Sequence, residues 1–366
     1  MPSKKKEIIR KNSRNIQNKN GTISNYLILF FVLSCAFILR IIGIGDHAFV
    51  FDEAVYVKIV KDLARNGYDW QSMRMLGTAH PPIYFLLMSI LYKNFYFAND
   101  ETFFRFITVI ISVVVAYFIY KLGSEYSKST GIIASLFFAF NPYFIAYSRF
   151  ATLDMLTVLF ITVAIYFYSK YISYDKIVYL MLAGASFGLA IFTKVYAGIF
   201  ILVIIIHLLI TKRQLIRIIQ FIIPSVIIIL LISLLLGQGI FFPWKIFHTS
   251  YGWSVGQQIA FNWAPITVST HVGFVSFVIA MIGLGLLIDL AIHNKHQLSS
   301  FYVLAFLLNI IIFTSYSGTH FARYFLILAP SLCIFFGYCI EKIIEKIRSQ
   351  QKNLAFLSVT ILLIGL

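Results

Sequence analysis

Residues 101–155 read ETFFRFITVIISVVVAYFIYKLGSEYSKSTGIIASLFFAFNPYFIAYSRFATLDM. Two apolar runs, at about 104–121 and 130–147, each approach the roughly 20 residues that a helix needs to cross a bilayer. Lys121 and Lys128 lie in the polar turn between them, and Arg149 and Asp154 lie where the second run gives way to a third. The same alternation continues on both sides. Further runs are read at about 26–45, 153–169, 177–193, 195–211, 219–236, 271–291, 299–317 and 323–340, again by the length a span requires. The composition agrees: 60% of the 366 residues are hydrophobic and 12% charged, against about 45–50% and 25% in a soluble domain. A soluble globular enzyme, a disordered chain and a nucleic-acid module are excluded. Cys35, Cys333 and Cys339 sit inside apolar runs without CxxC spacing, which excludes a disulfide scaffold and reads as small buried residues. The fold class is an all-α integral membrane protein with about 10–11 transmembrane helices, since only helices and closed barrels satisfy their backbone within lipid.

The net charge of +16 is then a question of sidedness. Residues 1–25 form a basic tail carrying Lys4, Lys5, Lys6, Arg10, Lys11, Arg14 and Lys19, as expected of a cytoplasmic segment beside a first span. That span is long, and no small-residue cleavage site follows it, so it reads as retained rather than as a signal peptide. Residues 82–98, rich in Tyr and Phe and containing Lys93, suit an interfacial helix. With that segment at the interface, most of the 30 basic residues fall on the cytoplasmic side, among them Lys170, Lys176, Lys212, Arg213, Arg217, Lys342, Lys346 and Arg348. The N-terminus is expected inside a plasma membrane. Loop 46–103, the turn at 148–153, the Lys194 turn, loop 237–270 and the turn before Arg323 are expected together on the outer face. The run from Leu354 to Leu366 is short for a span, so 341–366 reads as a cytoplasmic linker followed by an incomplete last helix or a surface tail.

The outer face carries the chemistry. Its acids include Asp46, Asp52, Glu53, Asp62, Asp69, Asp100, Glu101 and Asp154. The spacing predicts an amphipathic helix over 54–65, with Val57, Val60 and Ala64 on one side. Asp52 and Glu53 stand at its start, where acids complement the helix dipole and where a carboxylate can also serve as a general base. His80 is held by Pro81 and Pro82 in an extended entry to the next segment. Arg149 and Asp154 flank one tight turn, and either pair with each other or serve a site. Lys194 is the only charge between Lys176 and Lys212; it either snorkels to the interface or binds an anion. Arg323 and Tyr324 open another run, with His320 just before them. Trp244, Trp253 and Trp263 in loop 237–270 are interface anchors or platforms for sugar rings. Carboxylates suit proton abstraction, and single cations suit a lipid-borne phosphate. No P-loop, HExxH motif or His/Cys cluster at metal spacing is present. No cofactor and no metal ligands are read, and a divalent ion stays open. A non-enzymatic flippase or transporter of lipid-linked sugar would instead need polar groups lining a path at mid-membrane, and most runs are apolar throughout.

The ordered set Asp52-Glu53, His80-Pro81-Pro82, Arg105, Ser148-Arg149, Asp154, Lys194 and Arg323-Tyr324 resembles the GT-C membrane glycosyltransferases, in the branch of protein O-mannosyltransferases and lipid A aminoarabinose transferases. The likeness is strongest over 26–200. It implies a GT-C bundle over 26–340 that takes a hexose, such as mannose, from a polyprenyl- or dolichyl-phosphate carrier and passes it with inversion to a protein Ser/Thr hydroxyl, or alternatively to a glycolipid or polysaccharide. By position it makes Asp52 the general base, with Glu53 positioning it and Asp154 the second acid. Arg149, Lys194 and Arg323 become candidates for the carrier phosphate, His80 lies near the sugar, and His320 and Tyr324 line the substrate site. The HPP form, rather than KPP, tilts the acceptor towards protein.

Overall fold

A computed structural model of the chain describes residues 26–67, 80–211, 215–236, 264–293, 296–315 and 322–349. The basic tail, much of loop 237–270 with its three tryptophans, His320 and the run from Leu354 lie outside the described residues. The elements in chain order are α1 (Tyr26–Ile41), α2 (Phe51–Asn66), α3 (Ile83–Phe95), α4 (Asp100–Gly123), α5 (Lys128–Phe140), α6 (Pro142–Ser148), α7 (Leu153–Tyr174) and α8 (Ile177–Ile191). A 3₁₀ turn, Val195–Gly198, leads into α9 (Ile199–Ile210), and then come α10 (Leu215–Leu235), α11 (Ala264–Val272), α12 (Phe274–His293) and α13 (Gln297–Ser315). A second 3₁₀ segment, Ala322–Leu328, enters α14 (Ala329–Ser349). No strand occurs among the described residues.

Among the described residues, five helices are long and apolar enough to cross a membrane: α4, α7, α10, α12 and Arg323–Ser349; the bent pair α5–α6 makes a sixth. Shorter apolar helices cover the remaining runs, including Tyr26–Ile41, Ile177–Ile191 and Val195–Ile210. Arg323–Ser349 is the most buried of the five and α10 the least. Cys333 and Cys339 are buried, unbridged thiols within α14.

The run read as one span over 130–147 is broken. Its two halves meet at 63°, because Asn141 precedes a proline and is held extended at φ −67°, ψ 125°. Asn141 caps the new helix by accepting from the Tyr143 N–H at 3.0 Å, and its amide donates to the Val272 carbonyl at 2.8 Å. The break leaves carbonyls at the end of α5 without helical partners. Arg40, fully buried in α1, supplies them: its guanidinium donates to the carbonyls of Ala139 and Phe138, both at 2.9 Å, and to Ala36 at 3.1 Å. A cation inside a span is thus placed where a helix end carries partial negative charge.

α8 and α10 meet through a glycine notch. A Cβ on Gly184 would lie 2.0 Å from the Phe221 carbonyl oxygen, and one on Gly188 would lie 2.8 Å from the Ser225 Cα. Ser225 Oγ donates to the Gly184 carbonyl at 2.5 Å. Small residues four apart allow this backbone approach, the usual way in which helices associate in lipid.

Candidate active site

One end of the bundle gathers the chemistry-bearing residues. α2 begins earlier than its hydrophobic period predicts, at Phe51, so Asp52 and Glu53 both lie in its first turn. Tyr56, Val57, Ile59, Val60 and Leu63 are buried, a wider face than the predicted stripe, while Lys58 and Arg65 are exposed. Lys61 ties α2 to the start of α4 through Asp100 at 2.7 Å.

The two adjacent acids have opposite fates. Glu53 is buried, and both its oxygens are fully engaged. Oε1 accepts from Arg105 Nε at 2.9 Å and from the Ala151 N–H at 2.8 Å. Oε2 accepts from Arg105 Nη2 at 2.7 Å and from the Val50 N–H at 3.0 Å. Arg105 also donates to the carbonyls of Ile44, His47 and Ala48 at 3.0, 2.8 and 3.1 Å. This network clamps three segments: the exit from α1, the first turn of α2 and the turn before α7. Glu53 therefore holds the frame around Asp52. Asp52 is paired with Arg323, but its side chain keeps 34% of its surface.

Asp154, in the first turn of α7, is almost wholly enclosed. Lys194 Nζ lies 2.5 Å from its Oδ1, and the Tyr196 hydroxyl donates to the same oxygen at 3.2 Å. Lys194 does not snorkel outward. Its side chain is 6% exposed, and its ammonium sits 4.9 Å from the ring centres of both Tyr196 and Tyr324. Burial pushes this ammonium below its usual range, with Arg323 adding to the shift and Asp154 opposing it. The Tyr196 and Tyr324 rings meet edge to face at 5.5 Å, and the Arg323 guanidinium lies 5.7 Å from the Tyr324 ring centre.

His80 joins the cluster from the entry to α3. Its Nε2 lies 3.1 Å from the Tyr56 hydroxyl. Burial pushes the imidazole down to about 4; Lys194 and Arg323 add to the shift, and Asp154 and Asp52 oppose it. His80 is therefore a neutral ring at physiological pH, surrounded by two carboxylates and two cations.

The structure thus brings together Asp52, Asp154, His80, Lys194, Arg323 and Tyr324. Arg149 does not pair with Asp154 across their turn; its guanidinium donates to the Gly43 carbonyl at 3.0 Å. Sequence reasoning gave no part to Tyr56 and Tyr196. Tyr56 follows Asp52 by four residues on one helix, the spacing that puts two side chains on one face. Tyr196 has no comparable local signal. Among the described residues no group of three or more His, Cys, Asp or Glu side chains could hold a metal ion.

The fold is shared with solved membrane enzymes. The structure of ArnT from Cupriavidus metallidurans bound to undecaprenyl phosphate aligns with a TM-score of 0.67 at 15% identity, covering 86% of this chain and 60% of that one. The archaeal oligosaccharyltransferase AglB from Archaeoglobus fulgidus, in complex with an inhibitory peptide and a dolichol-phosphate, aligns at 0.67 and 13% identity, covering 94% and 54%. The chain spans little more than half the length of these structures. No curated protein matches the sequence. The architecture is the GT-C membrane fold of these structures. Residues 79–236 match the family model described as dolichyl-phosphate-mannose-protein mannosyltransferase, a stretch that holds His80, Arg105, Asp154 and Lys194. The matched stretch is less than half of the chain, and the solved structures share its fold.

Proposed function

We propose that the protein transfers a hexose, with mannose the first candidate, from a polyprenyl- or dolichyl-phosphate carrier to a protein Ser/Thr hydroxyl, with inversion. The observation that carries this reading is the pair of matched ion pairs at one end of the bundle, Asp52 with Arg323 and Asp154 with Lys194. Before substrate enters, each cation neutralises a carboxylate. An anionic phosphate competes for Arg323 and Lys194, and drawing Arg323 away releases the more exposed carboxylate, Asp52.

Asp52 then accepts the proton of the acceptor hydroxyl as its oxygen bonds to the anomeric carbon. The bond from that carbon to the phosphate oxygen breaks, and the carrier phosphate leaves with the electron pair. Lys194 and Arg323 stabilise the charge that develops on it, so a general acid is not required. Asp154, enclosed by Lys194 and Tyr196, holds the lysine in place. Arg105 and Glu53 fix the frame. Undecaprenyl phosphate in the ArnT structure and dolichol-phosphate in the AglB complex support a lipid phosphate as the carrier.

The topology proposed with this function puts the N-terminus in the cytoplasm and the site on the outer face of the cell membrane. Residues 26–340 form the catalytic domain in this scheme, and 341–366 lie on the cytoplasmic side. A cysteine introduced beside Asp52 reacts with an impermeant reagent from outside; reaction from inside alone overturns the orientation. Purified protein given dolichyl-phosphate mannose and a Ser/Thr peptide should glycosylate the peptide. Label appearing on membrane lipids but never on peptide would replace the protein acceptor with a lipid one. Lys194→Gln and Arg323→Gln should each weaken binding of the lipid phosphate; unchanged binding in both removes the phosphate assignment.

A further inference from the structure

We propose that Tyr56 fixes His80 as the Nδ1–H tautomer, making the ring a neutral N–H donor to a hydroxyl of the carrier-borne sugar. The inference rests on reading this cluster as the donor-sugar site, and it adds a positioning residue and a recognition mode to that reading.

Tyr56 is buried in α2 one turn beyond Asp52, its ring packed edge to face against His80 at 5.6 Å, Phe85 at 5.7 Å and Tyr84 at 6.3 Å. That packing leaves its hydroxyl little choice of direction. Among the described residues its hydrogen-bond partner is His80 Nε2, at 3.1 Å. A neutral imidazole has one donor and one acceptor nitrogen, and the bond made by one nitrogen decides the role of the other. If Nε2 carried the proton, it would donate to the Tyr56 oxygen and strand the Tyr56 O–H in a 3%-exposed side chain. Leaving a buried donor unsatisfied is costly, whereas the opposite assignment satisfies the buried Tyr56 hydroxyl and leaves the free donor on the half-buried His80 ring. With Tyr56 donating to Nε2, the proton of the ring resides on Nδ1, which has no partner among the described residues.

Tyr56 stays protonated because burial raises its hydroxyl far above the usual phenol range, with Asp154 and Asp52 adding to the shift. The surroundings also separate the labour of recognition. Lys194 and Arg323 are the charged groups suited to a phosphate, while a neutral N–H suits a hydroxyl oxygen, which carries no charge to be matched. Pro81 and Pro82 restrict the backbone beside His80, and the Ile83 N–H is bonded to the Phe192 carbonyl at 3.2 Å, so the ring is presented from a fixed strut between α3 and the end of α8.

The side chains that can replace one nitrogen at a time make the test. Asn places an amide N–H at the same distance from the backbone as Nδ1, and Gln places one at the depth of Nε2. The full chain, with its eight histidines labelled with ¹⁵N and reconstituted in nanodiscs, is compared with His80→Gln to assign the His80 signals. The wild type should show a protonated Nδ1 and an unprotonated Nε2, and Tyr56→Phe should shift the ring to a mixture of tautomers. A protonated Nε2 in the wild type, or no change in Tyr56→Phe, overturns the proposal. With dolichyl-phosphate mannose as the probe, Tyr56→Phe and His80→Gln should each lower kcat/KM for the donor about tenfold, the worth of one neutral hydrogen bond. His80→Asn should retain most of the wild-type value. Equal loss in His80→Asn and His80→Gln contradicts donation from Nδ1. If no lipid-phosphate sugar supports transfer, the proposed function fails, and the tautomer spectra still decide the role of Tyr56.

Discussion

Replacing Glu53 by Gln exchanges one carboxylate oxygen for an amide NH2, yet the network around it makes this a damaging substitution. Glu53 accepts four hydrogen bonds at 2.7–3.0 Å, two of them from Arg105, and the two side chains are 1% and 6% exposed. A glutamine can keep one oxygen towards Arg105 Nε and the Ala151 N–H. Its amide nitrogen then faces Arg105 Nη2 and the Val50 N–H, donor against donor, and the Arg105 charge loses its counter-charge. Breaking a buried ion pair from one side costs about 3–5 kcal/mol. Cys333 and Cys339 supply the assay, since both are buried free thiols. A thiol-reactive dye reports their exposure as detergent-solubilised protein is heated. Glu53→Gln should unfold several degrees below wild type, and transfer should fall with it because the segment carrying Asp52 loosens. Asp52→Asn, which disrupts a partly exposed pair, should move stability by only about 0–1 kcal/mol. The double variant Glu53→Gln, Arg105→Gln should recover part of the loss, because the uncompensated charge is gone. A Glu53→Gln protein with wild-type unfolding and wild-type transfer would refute the argument that this acid is a structural clamp.

Gly184→Ala should lower stability by about 1–3 kcal/mol through overpacking, seen in the same thiol assay, because its Cβ would meet the Phe221 carbonyl oxygen at 2.0 Å. His80 should remain neutral until the pH approaches 4, so the rate profiles of wild type and His80→Asn should run parallel through pH 6.5. The corresponding stability is fully present above pH 6.5 and is lost as the pH falls towards 4, because the unfolded chain takes up the proton first. Denaturation midpoints of wild type and His80→Asn across pH 4–7 should converge towards the acid end, and parallel curves would contradict the depressed value.

The spans were legible because hydrophobic run length is a local property, and helices occupy each predicted run that falls within the described residues. The grouping of loops was legible as well: parity alone put Asp52, His80, Asp154, Lys194 and Arg323 on one side, and they meet there. What escaped was pairing over distance. Arg105 stands out as a charge within an apolar run, but its bond to Glu53 spans 52 residues and has no local trace. Arg40 is equally opaque, since two of its acceptors, the Phe138 and Ala139 carbonyls 98 and 99 residues onward, are freed only because the chain breaks at Asn141-Pro142. That break did have a signal in the Asn-Pro pair, which the apolar count of 130–147 overrode. Arg149 looked like a partner for Asp154 from proximity in sequence, yet the turn points it to the Gly43 carbonyl while Lys194, 40 residues away, takes the acid.

The central claim is that Asp52 abstracts the acceptor proton at a site whose cations hold the carrier phosphate. Its most direct test measures donor binding and transfer side by side in Asp52→Asn. Binding of dolichyl-phosphate mannose should persist at wild-type strength or tighter, since Arg323 loses its competing carboxylate. Transfer to peptide should fall by roughly 10²–10⁴-fold, the usual worth of a positioned general base. Transfer at the wild-type rate, with binding intact, would contradict the account.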